Sequence, residues 1–81
     1  MTATPVEEMI VHLARSLVSE PDAVRVERSE RDGAVILELY VAEEDLGKVI
    51  GKGGRIARSL RTLVRASGAK ADERRLLEIV G

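Results

Sequence analysis

Three glycines fall within four consecutive positions near the middle of the chain, in the segment Gly51-Lys52-Gly53-Gly54. Such a segment has almost no side chains, and its backbone can adopt positive φ values that other residues avoid. Apolar residues at helical spacing lie on both sides of it, at Leu46, Val49 and Ile50 before it and at Ile56, Leu60, Leu63 and Val64 after it. The pattern predicts a short helix, a tight turn and a longer helix that begins near Arg55 and is capped by Gly68.

The rest of the chain predicts one more helix and three strands. An apolar stripe with four- and three-residue spacing predicts a helix over residues 6–18, with Thr4 as its N-cap and Pro5 in its first turn. Alternating and β-branched residues predict strands over residues 24–28, 35–41 and 76–80. The Asp32-Gly33 pair between the first two strands favours an antiparallel hairpin. One face of the second strand is expected to be buried: Val35, Leu37, Leu39 and Val41.

The length of 81 residues indicates one small domain over residues 1–81. Valine, leucine and isoleucine together supply 24 side chains for a core, whereas Tyr40 is the only aromatic residue. There is no cysteine, and His12 is the only histidine, so disulfides, thiolate chemistry and a zinc site are not expected. The sequence has neither a signal-peptide pattern nor an apolar run of about 20 residues, which favours a cytoplasmic location.

Charge is distributed unevenly along the chain, although the net charge is only −1. Residues 1–42 contain four basic and eight acidic side chains, whereas residues 46–71 contain seven basic and no acidic ones. The basic side chains of that segment are Lys48, Lys52, Arg55, Arg58, Arg61, Arg65 and Lys70. A local field of one sign attracts polyanions even when the whole molecule is nearly neutral.

Two familiar phosphate-binding glycine motifs do not fit the central segment. A P-loop needs four residues between its first glycine and Gly-Lys, followed by Ser or Thr. Here three residues separate Gly47 from Gly51, and Gly53 follows Lys52. The dinucleotide-binding fingerprint fails as well, because Ile56 stands where its last glycine would be.

The Gly-x-x-Gly segment, preceded by Val49-Ile50 and placed between two helices, resembles the signature of the KH domain. The order αββααβ is similar to the type II (prokaryotic) KH fold, an α+β domain whose three-stranded sheet has its helices packed on one face. A chain only one such domain long resembles the small bacterial single-KH RNA-binding proteins called KhpA, over roughly residues 6–80. The closest part runs from Asp45 to Ala57.

The resemblance implies non-catalytic binding of single-stranded RNA across the loop, with no cofactor and no metal. It implies RNA contacts from Gly51, Lys52, Gly53 and Gly54 in the loop, from Lys48, Arg55 and Arg58 beside the RNA backbone, and from Leu46, Val49 and Ile50 in an aliphatic groove for the bases. It also implies an RNA-chaperone role in control of cell shape and envelope growth, with a larger KH protein, KhpB, as partner. The surplus of aliphatic side chains separately favours an apolar contact surface for a homodimer or for that partner. Ala57 departs from the pattern of many eukaryotic KH domains, which carry a large aliphatic residue there.

Two other interpretations of the sequence remain open. The glycines could form a plain connector between two helices, and the surplus of aliphatic side chains could serve a protein–protein interaction module in which RNA binding is secondary. The acidic run Glu43-Glu44-Asp45 is interpreted as favourable charge at the start of a helix. Without aromatic stacking platforms, RNA affinity is expected to be micromolar and sensitive to salt.

Overall fold

The structure is a computed structural model that describes residues 5–81, so the predicted cap at Thr4 lies outside the described residues. It contains three α-helices, namely α1 (Pro5–Leu17), α2 (Leu46–Ile50) and α3 (Arg55–Lys70). Its three strands are β1 (Arg25–Arg31), β2 (Ala34–Tyr40) and β3 (Arg75–Val80). The predicted order αββααβ is confirmed. Within the described residues, no helix is long and apolar enough to cross a membrane.

The three strands form one mixed sheet in the order β1-β2-β3. β1 and β2 are antiparallel, as predicted, and β2 and β3 are parallel. Arg31 pairs with Ala34 across a two-residue loop in which Asp32 and Gly33 have φ values of 52° and 78°. Two-residue hairpin loops favour positive φ at both positions because the resulting twist matches that of the strands.

The core lies between one face of the sheet and the helices. Val35, Leu37 and Leu39 of β2 are at most 5% exposed, which confirms the predicted buried face. Buried side chains from all three helices pack in the same cluster: Val6, Ile10, Ala14, Val49, Leu60 and Val64. Because α2 and α3 both pack into this cluster, the two ends of the turn between them are fixed relative to each other.

The end of α3 differs from the sequence-based expectation. Gly68 does not cap the helix; it is buried within it, and the helix continues to Lys70. Asp72 instead takes the left-handed conformation, and the N–H of Glu73 donates to the carbonyl of Gly68 at 2.7 Å, closing a Schellman motif. A Cβ atom at Gly68 would overlap the carbonyl oxygen of Glu73, so this glycine permits a close backbone approach.

Candidate nucleic-acid interface

The turn between α2 and α3 begins at a glycine that no other residue could easily replace. Gly51 has φ 76° and ψ 170°, a region that is populated almost only by glycine. A Cβ atom at this position would lie 2.8 Å from Cγ1 of Ile56. Backbone conformation and packing therefore both require glycine at the exit from α2.

The next two glycines form a tight turn. Gly53 (φ 63°, ψ 17°) and Gly54 (φ 74°, ψ 18°) occupy the two central positions of a type I′ turn. The N–H of Arg55 donates to the carbonyl of Lys52 and closes this turn. The N–H of Gly54 donates to the carbonyl of Gly51 at 3.1 Å, so two overlapping turns reverse the chain before α3 begins.

Two consecutive backbone amides of the loop take no part in the hydrogen bonds that close its turns. The N–H groups of Gly51, Gly54 and Arg55 donate to the carbonyls of Gly47, Gly51 and Lys52, and the amides of Lys52 and Gly53 lie between these donors. Adjacent amides at the start of a long helix suit an anion, because the positive end of the helix dipole lies beside them. The loop therefore offers N–H donors from which a phosphate oxygen can accept hydrogen bonds.

The four cations predicted to border the loop fall into two groups. Lys52 and Arg55 are exposed, and neither makes an ion pair with any described residue. Lys48 instead lies 3.2 Å from the carboxylate of Asp45, and Arg58 donates from Nη2 to the carbonyl of Gly53 at 2.8 Å. Only the first pair is thus uncommitted within the described part of the chain.

The apolar residues predicted to line a groove differ in exposure. Ile50 is 39% exposed and Leu46 is half-buried, packed against Gly81. Val49 has no exposed surface and belongs to the core cluster. Val49 therefore anchors α2 to the core and cannot contact a ligand. Ile50 is the more exposed apolar side chain and offers the larger contact surface to a ligand. Ala57 is also buried, at 2% exposure.

Sequence reasoning missed one residue that fixes this region, Asp45. Its carboxylate is fully buried and accepts hydrogen bonds from the N–H and hydroxyl of Ser19, at 3.1 and 2.8 Å, and from the N–H of Glu20 at 3.1 Å. Burial alone raises the pKa of Asp45, but these hydrogen bonds and the one from Lys48 outweigh it and lower the pKa from 3.8 to about 2. Asp45 therefore ties the start of α2 to the segment that follows α1.

A signal for Asp45 is present in the sequence. Asp45 lies four residues before Val49 and therefore on the apolar side of the short helix. An acidic residue that only complements the helix dipole can instead lie on the solvent-exposed side. Its partners, Ser19 and Glu20, are more than 20 positions away, so only the fold identifies them. No group of three or more His, Cys, Asp or Glu side chains that could hold a metal occurs in residues 5–81.

The chain is similar to known proteins over most of its length. Residues 7–79 match the family model described as "KhpA/KhpB, KH domain". The chain is 54% identical to the RNA-binding protein KhpA of Treponema pallidum, over 91% of this chain and 92% of that protein. It is 48% identical to KhpA of Caldanaerobacter subterraneus, over 90% and 97% of the two chains, and 44% identical to KhpA of Bacillus subtilis, over 98% of each.

Proposed function

The chain belongs to the KhpA/KhpB KH-domain family, and we propose on this premise that it binds single-stranded RNA at the Gly51–Gly54 loop, without catalysis. Its similarity to several proteins named as RNA-binding supports the class of ligand. KH domains use a loop of this type to clamp about four nucleotides of an unpaired strand.

The observation that carries the proposal is the pair of adjacent amides outside the loop's turn hydrogen bonds, beside two uncommitted cations. The amides of Lys52 and Gly53 can donate to phosphate oxygens, and the side chains of Lys52 and Arg55 add full positive charges next to them. Since glycine carries no side chain, a sugar-phosphate backbone can approach this loop closely. The site therefore suits a flexible chain of phosphates.

The surroundings of the loop favour a nucleic acid over a single small anion. Residues 46–71 contain no acidic side chain, and Asp45, which precedes them, is buried and hydrogen-bonded, so it presents no repulsive surface. Exposed Ile50 lies at the end of α2, where an unstacked base could pack on it. Phosphate contacts supply affinity, and aliphatic contacts with bases add to it.

The test is a double substitution in the loop, Lys52→Asp with Gly53→Asp. A Cβ atom at Gly53 would meet nothing within 4 Å, and aspartate tolerates left-handed backbone better than most residues do, so the variant is expected to fold. Its affinity for a short uridine- or adenine-rich RNA, measured by fluorescence anisotropy, should fall at least tenfold. Circular dichroism should show an unchanged fold.

The matched control is Arg31→Asp with Gly33→Asp in the β1–β2 hairpin. It makes the same change in charge, and Gly33 is also a positive-φ glycine whose Cβ would meet nothing within 4 Å. The hairpin lies at the far end of β2 from the connection to α2, about 20 Å along the strand. This control should retain RNA affinity within about twofold. Equal losses in the two variants, or none in either, would refute the assignment of the loop.

A second candidate function is self-association or partner binding through α3. Leu63 is 42% exposed, and it lines a shallow groove on the outer surface of α3 together with Ser59, Thr62, Arg55 and Arg58. An exposed leucine in such a groove gives a helix face on which another chain could pack. Sedimentation at micromolar concentration tests this: association should weaken in Leu63→Ser, and a wild-type protein that stays monomeric would exclude self-association.

The cellular part of the proposal follows the family resemblance. It comprises a larger KH partner of KhpB type, RNA-chaperone activity, a role in cell shape and envelope growth, and a cytoplasmic location. Crosslinking in cells, followed by identification of the captured RNA and protein, tests this part.

A further inference from the structure

We propose that Arg58 is a positioning residue that holds the Gly51–Gly54 loop in its binding conformation, and that it is not one of the phosphate contacts. This inference rests on the proposed RNA-binding function, because the conformation that Arg58 holds is the one offered to RNA. It reverses the role expected from the sequence, in which Arg58 borders the RNA backbone.

The geometry places the guanidinium group against the loop. Nη2 of Arg58 donates to the carbonyl oxygen of Gly53 at 2.8 Å. The same nitrogen would lie 4.0 Å from a Cβ atom built on Gly54, so the group lies over both central residues of the type I′ turn. Within residues 5–81, this is the only hydrogen bond between a side chain and the backbone of the loop.

Arg58 adds a partner for a third carbonyl of the loop. The carbonyl of Gly51 accepts from Gly54, and the carbonyl of Lys52 accepts from Arg55. The carbonyl of Gly53 accepts from Arg58, one turn along α3. A hydrogen bond from a charged donor is stronger than one between neutral groups, and arginine cannot lose its proton near neutral pH.

The loop needs such a contact because its residues are intrinsically mobile. Three glycines in four positions can populate many backbone conformations, and only a fraction of them would present the amides of Lys52 and Gly53 together. When the competent conformation is a fraction of the population, the apparent dissociation constant rises by the inverse of that fraction. By fixing the Gly53 carbonyl, Arg58 raises the competent fraction before RNA arrives.

The test compares Arg58→Met with Arg55→Met, the same substitution three residues apart on α3. Arg55 is exposed and makes no ion pair in the described chain, so it serves as the direct-contact reference. Arg58→Met should weaken binding of a short uridine-rich RNA by about fivefold. The slope of log K against log salt should stay at its wild-type value, whereas in Arg55→Met it should become about 0.7 less steep.

A measurement without RNA separates this inference from the proposed function. In the free protein, Arg58→Met should accelerate amide hydrogen exchange several-fold at Gly54 and Arg55, which close the two turns, and leave Leu37 and Leu39 of β2 unchanged. If exchange at the loop is unchanged, or if the salt slope falls as much as in Arg55→Met, the positioning role is wrong. If exchange accelerates but wild-type protein binds no RNA, the loop contact stands and the proposed function fails.

Discussion

Gly51 and Gly53 face different constraints although they lie two residues apart in one loop. Gly51 combines a backbone conformation reserved for glycine with close contact to the side chain of Ile56. Gly53 is left-handed but open, since a Cβ atom there would meet nothing within 4 Å. Gly51 therefore maintains the fold of the turn, whereas a side chain at Gly53 would add backbone strain but meet no neighbouring atom, and Gly53 is more exposed to a ligand.

Alanine substitutions should separate these roles. Gly51→Ala is expected to lower the free energy of unfolding by about 3 kcal/mol, from backbone strain together with the contact to Ile56. Gly53→Ala should cost only about 1 kcal/mol, since it adds strain without a steric conflict. Urea denaturation followed by circular dichroism measures both. Similar losses in the two variants would contradict the geometry of the turn.

Asp45 should contribute a pH-dependent part of stability. Its pKa in the folded protein, about 2, lies below the ordinary value of 3.8, so its stabilising effect is complete above about pH 4. That effect is lost as the pH falls from about 4 towards 2, because protonation turns one of the two oxygens that accept from Ser19 and Glu20 into a donor.

The variant Asp45→Asn isolates this effect from that of the other carboxylates. It should denature at a lower urea concentration than wild type at pH 7, because an amide nitrogen would face the backbone donors of Ser19 or Glu20. The difference between the urea midpoints of wild type and Asp45→Asn should narrow as the pH falls below 4. A gap that stays constant from pH 7 to pH 2.5 would show that the buried carboxylate is not the titrating group.

At the scale of secondary structure elements, local patterns were sufficient to predict most of the fold. The helix α1, the hairpin with its Asp32-Gly33 turn and the strand β3 follow from periodicity and turn chemistry within a few residues. The prediction that Gly68 caps α3 was wrong, because glycine often ends a helix. Here glycine is required inside the helix, since the backbone of Glu73 lies too close for a side chain at position 68. The roles of Asp45 and Val49 could not be predicted, because they depend on tertiary packing that residue spacing does not reveal.

Two helical glycines give opposite expectations for the same substitution. Gly68→Ala should destabilise the protein by about 1–3 kcal/mol, because the new methyl group would overlap the carbonyl oxygen of Glu73. Gly47→Ala should stabilise it by about 0.5–1 kcal/mol, because Gly47 lies in α2 with open space around its Cβ position and alanine favours a helix. Thermal unfolding measures both, and stabilisation by Gly68→Ala would contradict the close approach.

At the scale of the whole molecule, the distribution of charge is more informative about a ligand than its sum. The chain has a net charge of −1, yet its seven-cation segment includes α2, the loop and α3. The sequence displays this asymmetry directly, so the class of partner was predictable. Which cations are free was not, because the contacts of Lys48 with Asp45 and of Arg58 with Gly53 depend on side-chain geometry.

Salt dependence tests this distribution of charge. If about three phosphates are neutralised, log K for single-stranded RNA should fall with log salt with a slope of about −2. Anisotropy titrations between 50 and 200 mM salt measure the slope. The hairpin control Arg31→Asp with Gly33→Asp should show the same slope as wild type. A wild-type slope near zero would exclude phosphate contacts as the main source of affinity.

The most direct measurement is an NMR titration of the amide-labelled protein with a short unpaired RNA. The largest chemical-shift changes are expected at the amides of Lys52 and Gly53, smaller ones at Ile50 and Arg55, and none at the β1–β2 hairpin. Saturable shifts elsewhere, with the loop amides unmoved, would contradict the claim that this glycine turn holds the RNA backbone.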